Sequence, residues 1–504
     1  VFRALVSLAD ELPVGTLRRI ENLCAKSGNE LVEIFSGIIA DCNEAAREPV
    51  SRLDGREPSF PLRERRTDLI PTALGTRMDP EEIRLLLSPG GPLSLHFPGF
   101  EPRAEQVEMA LAVARTIDHR DEGTGWQLLV EGGTGIGKSV AYLLPLILFA
   151  ARNNVRVVVS TNTINLQEQL IAKDIPDLLK ALGDSRVIDR DKFTFAQLKG
   201  KTNYLCLKKW EAAAESDDIT PEDANTLLKT SIWLRNTHTG DRSELNLQSR
   251  ELAGFERLSA SGFNQCSGSK GGPCFYRNAR ETAASAHLVI VNHALLLSDL
   301  QVGGGVIPDY DYLVIDEAHN LEAEATRQLG FRVTQGTFDE MGDRLEAVVK
   351  VLRQSLRHAN LENSATETVD MRLEETLMHL RDARIAWSKL NAELREFADE
   401  IDDRSQGESE VRITDGKRAQ PSWSKCEITW EEFDRSADRI THQLHPIIET
   451  ISQLALGKSS SLGEITPELS AWDAELIDLR SRFAEFVVNS RQDIVYWLTK
   501  GQRF

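Results

Sequence analysis

The chain has 504 residues and a formal net charge of −19 at pH 7, from 59 Lys and Arg against 78 Asp and Glu. That balance excludes a nucleic-acid binder working by bulk positive charge, but leaves room for a motor with a local basic channel. Six cysteines without a paired framework, no secretory leader and no apolar run of about 18 residues or more predict a reducing, cytoplasmic setting and no membrane association.

The length predicts about three domains, and an apolar content of 41% is enough for several cores. The sequence opens on Val rather than Met and is expected to be a fragment or a processed product. Apolar spacing in Leu5, Leu8 and Leu12, and again in Leu31, Ile34 and Phe35, predicts helices over residues 1–50. Residues 51–75 are rich in Arg and Pro and read as a linker. From residue 85 an α/β pattern begins, with strands predicted at 126–131, 155–161, 287–292 and 312–316. Apolar runs of this kind are buried on both faces of a parallel sheet. Residues 193–285 interrupt the pattern and hold Cys206, Cys266 and Cys274. Residues 330–490 are charged and helix-periodic, with a polar break at 403–425.

Two segments carry chemistry. Residues 132–139, Gly-Gly-Thr-Gly-Ile-Gly-Lys-Ser, fit G-x-x-x-x-G-K-[ST]. The run 126–130 before them reads as a strand, and 138–151 after them as a helix. In that setting glycines let backbone N–H groups wrap phosphates, and the helix N-terminus adds positive dipole. Residues 312–319, Tyr-Leu-Val-Ile-Asp-Glu-Ala-His, end a strand on Asp316 and Glu317. An Asp there holds the Mg²⁺ shell, and a Glu beside it orients the attacking water. A Gly-rich loop alone fits the first pattern by chance, and Asp-Glu at a strand end is often a solvated turn. Both together, in this order, predict binding of ATP or a relative. A third segment places Lys199, Lys201, Lys208 and Lys209 around Tyr204 and Trp210. It is either a basic patch with aromatic interleaving or a solvated lysine face.

The order of motifs resembles a superfamily-2 DNA helicase of the DinG/XPD group, on the DinG side. Residues 101–106, Glu-Pro-Arg-Ala-Glu-Gln, resemble the adenine-side segment upstream of the P-loop. Residues 160–163 with 166–170 are similar to motif Ia. Residues 199–206, ending on Cys206, resemble the segment with the first cluster cysteine. Thr239-Gly240-Asp241-Arg242, Cys274-Phe275-Tyr276 and Val291-Asn292-His293-Ala294-Leu295-Leu296 are further matches, and residues 316–319 are motif II. The matches span residues 95–325.

The resemblance implies an α/β fold: a RecA-like motor domain with a parallel sheet, interrupted by an iron–sulfur-type domain and a helical arch. It implies a helical connector and linker over 1–84, motor segments at 85–192 and 286–329, the iron–sulfur-type domain at 193–285 and the arch at 330–498. Residues 499–504 would lead towards a second motor domain with its arginine finger, for which nothing after residue 319 supplies an equivalent. The connector could also be the tail of an exonuclease domain, as some DinG-like helicases carry one.

The resemblance also implies residue roles. Lys138 would neutralise β- and γ-phosphate charge. Gly132, Gly133, Thr134, Gly135 and Gly137 would cradle the phosphates, and Ser139 would join Asp316 in holding Mg²⁺. Glu317 would be the catalytic base, and His319 would couple hydrolysis to nucleic-acid movement. Arg103 and Gln106 would border the adenine, and Thr161 and Asn162 would touch single-stranded backbone. The family's 4Fe–4S cluster takes four thiolates. Here Cys206, Cys266 and Cys274 are three, and residues 267–273 supply no fourth. Either a cluster with an exogenous ligand or a vestigial site follows, with zinc less favoured because no suitably spaced His joins them. The implied function is ATP-dependent 5′–3′ unwinding of DNA in repair or replication, with single-stranded and duplex DNA as partners. The alternatives are a cluster-less ATP-binding nucleic-acid clamp without unwinding activity, and a P-loop ATPase with another client.

Overall fold

The computed structural model describes residues 12, 14–28, 31–41, 69–72, 75–97, 99–118, 126–133, 135–216, 219–261, 273–358, 363–401, 409–455 and 460–500. Leu5, Leu8, residues 51–68 and 73–74 of the expected linker, Thr134 and Cys266 lie outside the described residues. The chain divides into two compact units, Val1–Gly330 and Phe331–Phe504. No described helix is long and apolar enough to cross a membrane.

The first unit is built on a four-stranded parallel sheet. Its strands are β1 (Val157–Thr161), β2 (Phe195–Gln197), β3 (Leu288–Asn292) and β4 (Tyr312–Ile315), in the order β2-β3-β1-β4. The register sets Val157 beside Leu288 on one side and Tyr312 on the other. Side chains alternate between faces. Val157, Val159, Leu288 and Ile290 join one apolar cluster with Leu143, Leu146 and Ile147. Val158, Val289 and Val291 join a second with Ala283, Leu295 and Leu296. Both faces are therefore covered, which is why these strands read as unbroken apolar runs. Helices α1 (Ala104–Asp118), α2 (Lys138–Asn153), α3 (Ile164–Gln169) and α4 (His293–Gln301) surround the site.

One predicted strand is not formed. Residues 126–131 form no regular secondary structure and join no sheet. A strand needs a ladder partner for its N–H and C=O groups, and among the described strands the sheet ends at β4. The apolar side chains of the segment consequently face solvent, Leu129 at 92%. Conversely, β2 was not expected. It adds to the sheet beyond β3, at the start of the interrupting segment.

Within that segment a small core gathers Leu205, Leu207, Trp210, Leu227, Phe255 and Phe275. Gly240 has φ +66°, and a Cβ there would lie 2.1 Å from the Phe275 ring. Only glycine fits that turn, which places the next residue, Asp241, against Lys199.

The second unit is helical, with long helices at Thr337–His358, Asn363–Ile401, Trp423–Ala455 and Ser460–Val487. Trp387, Phe338, Phe433 and Phe483 meet in its core. The polar break instead holds an unpredicted strand, β5 (Ser409–Ile413), antiparallel to β6 (Tyr496–Lys500).

Candidate nucleotide site

The phosphate loop turns into α2 through Gly137, whose φ of +81° is left-handed. A Cβ at Gly137 would lie 2.1 Å from Gln106 Nε2. Gln106, buried on α1, donates from Nε2 to the Gly137 carbonyl at 3.1 Å. Gly135 is also left-handed, at φ +85°. Both glycines are required by backbone conformation, and Gly137 by space as well. Lys138 Nζ donates to the Gly132 carbonyl at 3.2 Å and lies 3.4 Å from Glu317 Oε1.

Motif II leaves β4 and crosses the end of β1. Asp316 N–H donates to the Ser160 carbonyl at 2.8 Å. Asp316 Oδ2 accepts from Tyr142 O–H at 3.2 Å, and Oδ1 from Glu317 N–H at 3.1 Å. Burial pushes the Asp316 carboxyl up, and the Tyr142 hydroxyl opposes that shift. Glu317 is one of three described non-glycine residues with positive φ, at φ 54° and ψ 42°. Such a conformation persists only where the surroundings enforce it. Its Oε2 lies 3.4 Å from Nδ1 of the exposed His319.

Beside the loop is a cleft lined by Phe97, Phe100, Glu101, Arg103, Gln106 and Val140. Arg103 is held by Glu101 at 3.1 Å. Two aromatic rings and a valine with a polar rim suit a planar, hydrogen-bonding base. Both predicted adenine-side residues, Arg103 and Gln106, thus border one cleft next to the phosphate loop.

Tyr142 was not anticipated. It stands one turn beyond Lys138 on α2, so the i, i+4 spacing was the available signal. Its hydroxyl is hydrogen-bonded to Asp316 and is influenced by a bond with Ser139, the other expected Mg²⁺ ligand. Mg²⁺ keeps several waters and takes one or two protein oxygens plus substrate phosphates. Ser139 and Asp316, brought to one hydroxyl, fit that requirement. Among the described residues no group of three or more His, Cys, Asp or Glu is placed to hold a metal.

Other expectations are redrawn. Lys199 is not on a basic surface: its ammonium is buried, 2.7 Å from Asp241 Oδ2 and 3.0 Å from Ser243 Oγ. Tyr204 and Trp210 are core residues, and Trp210 Nε1 donates to Thr230 Oγ1 at 2.8 Å. Neighbouring positions in sequence gave no warning, because the partner Asp241 comes 42 residues later. Of the four lysines, Lys201 and Lys208 are exposed. Thr161 is wholly buried and Asn162 half-buried, while the capping role in the Ser-Thr-Asn-Thr run falls to Thr163, which accepts from Leu166 N–H. Cys206 and Cys274 are half-buried and start the helices Leu207–Glu215 and Phe275–Ala284, whose first residues share one core. With Cys266 outside the described residues and no fourth cysteine in the segment, the thiols do not make a four-thiolate set.

The four-stranded parallel sheet, the phosphate-loop sequence and the Asp-Glu turn are compatible with a RecA-like domain. Residues 178–338 match the DEAD_2 family model. The chain is similar to proteins named DinG and YoaA. It is 29% identical over 447 residues to the protein named 3′-5′ exonuclease DinG of Bacillus subtilis, covering 82% of this chain and 44% of that one. It is 36% identical over 273 residues to the ATP-dependent helicase DinG of Mycobacterium tuberculosis, covering 49% and 38%. It is 35% identical over 253 residues to the ATP-dependent DNA helicase YoaA of Escherichia coli, covering 48% and 37%. The chain spans less than half the length of these relatives.

Proposed function

We propose that the protein is an ATP-dependent DNA helicase that unwinds DNA 5′–3′ in repair or replication. The supporting observation is the meeting of Lys138, Glu317 and Asp316 at the end of β1, the strand that runs into Thr161 and Asn162. Backbone N–H groups of the phosphate loop bind the phosphates. Lys138 leaves Glu317 for the β- and γ-phosphates, a charge exchange that nucleotide binding drives. Mg²⁺, when bound through Ser139 and Asp316, supplies neutralisation of phosphate charge and alignment of the terminal phosphoryl group. The freed Glu317 carboxylate takes the proton of the attacking water. Gln106, Arg103 and the Phe97–Phe100 cleft hold the base. His319, exposed beside Glu317, carries the state of the site outward.

In this reading residues 193–285 are the iron–sulfur-type domain in vestigial form and 330–498 the arch. The relatives named as helicases support it, as does the motif order. The test is strand separation by the full-length protein on duplexes with a 5′ or a 3′ single-stranded tail. ATP-dependent separation of the 5′-tailed duplex is expected. ATP binding without separation of either would favour the nucleic-acid clamp, to which the incomplete thiol set already points.

A further inference from the structure

His293 begins α4 immediately after β3, and its ring is completely buried at the C-terminal ends of the strands. Nδ1 lies 2.7 Å from Ser160 Oγ, which is itself buried in β1 one residue before Thr161. The Ser160 carbonyl accepts the N–H of Asp316. One serine therefore holds the imidazole with its hydroxyl and motif II with its carbonyl.

Burial holds the His293 ring below the usual imidazole range. The tautomer in which the Ser160 hydroxyl donates to Nδ1 carries its ring proton on Nε2. Nε2 is buried and has no hydrogen-bond partner. The Asp316 and Glu317 backbone lies near enough to the ring to favour its charged form, although Nε2 makes no hydrogen bond of full geometry. Thr161 Oγ1, one residue past Ser160, is a second buried polar atom without a partner. Buried unsatisfied groups are rare and costly. Two of them flanking Ser160 mark a place where a second arrangement satisfies what this one does not.

Glu317 supplies the reason for two arrangements. Its left-handed backbone is strained and its carboxylate is tied to Lys138. A phosphate that takes Lys138 removes that tie and lets the Asp316–Glu317 turn settle.

We infer that His293 is a positioning residue coupling the nucleotide site to the strand end at Thr161 and Asn162, by donating from Nε2 to the motif II backbone once nucleotide has drawn Lys138 from Glu317. Ser160 moves with the ring and passes the change to its neighbours. The inference rests on the helicase reading and concerns how its two ligands communicate.

The test uses the full-length protein and a fluorescent oligothymidylate strand, titrated without nucleotide and with a non-hydrolysable ATP analogue and Mg²⁺. The parent is expected to change its strand affinity by about tenfold between the two states, the middle of the range for coupled sites. His293→Ala and Ser160→Ala are expected to reduce that ratio to about twofold or less, with nucleotide affinity itself nearly unchanged. His293→Gln, which returns an N–H donor near Nε2, is expected to restore part of the ratio. Variants that keep the parent's ratio overturn the coupling and leave the helicase reading intact. A parent whose strand affinity ignores nucleotide overturns both. Loss of nucleotide binding in folded Ser160→Ala, which deletes a single hydroxyl, shows a purely structural pair and also overturns the coupling. Should His293→Ala fail to fold, Ser160→Ala decides alone.

Discussion

Lys138 Nζ lies 3.4 Å from Glu317 Oε1, so the cation expected on phosphate and the carboxylate expected on water hold each other. In the proposed function nucleotide binding breaks this ion pair, and breaking it exposes the base. Lys138→Ala removes the phosphate-site charge and should weaken nucleotide binding by roughly 3–4 kcal/mol, the size of a lost charge-stabilising donor. Calorimetric titration with an ATP analogue checks it, and an unchanged affinity would end the phosphate-loop assignment.

Tyr142→Phe deletes the hydroxyl that bonds Asp316. The side-chain volume is kept, so the fold should lose only about 1 kcal/mol, the net worth of one hydrogen bond. Divalent-ion binding should suffer more, by about tenfold, the low end for losing a group that orients a metal ligand. Mn²⁺ binding in the presence of ADP, followed by electron paramagnetic resonance, reads this directly. Equal Mn²⁺ affinity in parent and variant would show that Tyr142 serves packing alone.

Lys199 and Asp241 form a buried ion pair across the base of the interrupting segment. Removing one partner leaves the other charge buried, at a cost of about 3–5 kcal/mol. Asp241→Ala should therefore unfold at clearly lower denaturant than the parent, whereas exposed Lys201→Ala should be nearly neutral. Similar midpoints for the two variants would contradict the pair's structural role.

The thiols at Cys206 and Cys274 lack a complete ligand set. Protein from iron-replete, oxygen-free expression should be colourless, and Cys206→Ser should cost only the modest amount of a small core substitution, about 1 kcal/mol. A brown preparation absorbing near 400 nm, bleached by Cys206→Ser, would instead establish a cluster with a ligand other than cysteine.

What the sequence made legible was local. The phosphate loop and motif II are contiguous, and their glycines and carboxylates serve the backbone conformations and placements that contiguity implies. The strands β1 and β3 were readable because burial on both faces leaves unbroken apolar runs, and β4 carries such a run although Leu313 is exposed at the sheet edge. The segment 126–131 has the same composition, but strand formation depends on a neighbour, which composition does not reveal. Tyr142, His293 and Lys199 depend on partners 174, 133 and 42 residues away. No spacing rule reaches that far. A buried lysine and a solvated one look alike until the fold brings up Asp241.

The most direct measurement of the central claim is ATP turnover by the full-length protein, with and without single-stranded DNA, in parent and Glu317→Gln. The substitution keeps the shape and leaves Asp316 in place while removing the carboxylate proposed to accept the proton. The parent should hydrolyse ATP faster with DNA, and Glu317→Gln should bind nucleotide normally and lose turnover by about a hundredfold or more, the low end for a general base. Turnover by Glu317→Gln at the parent rate, or a parent indifferent to DNA, would contradict it.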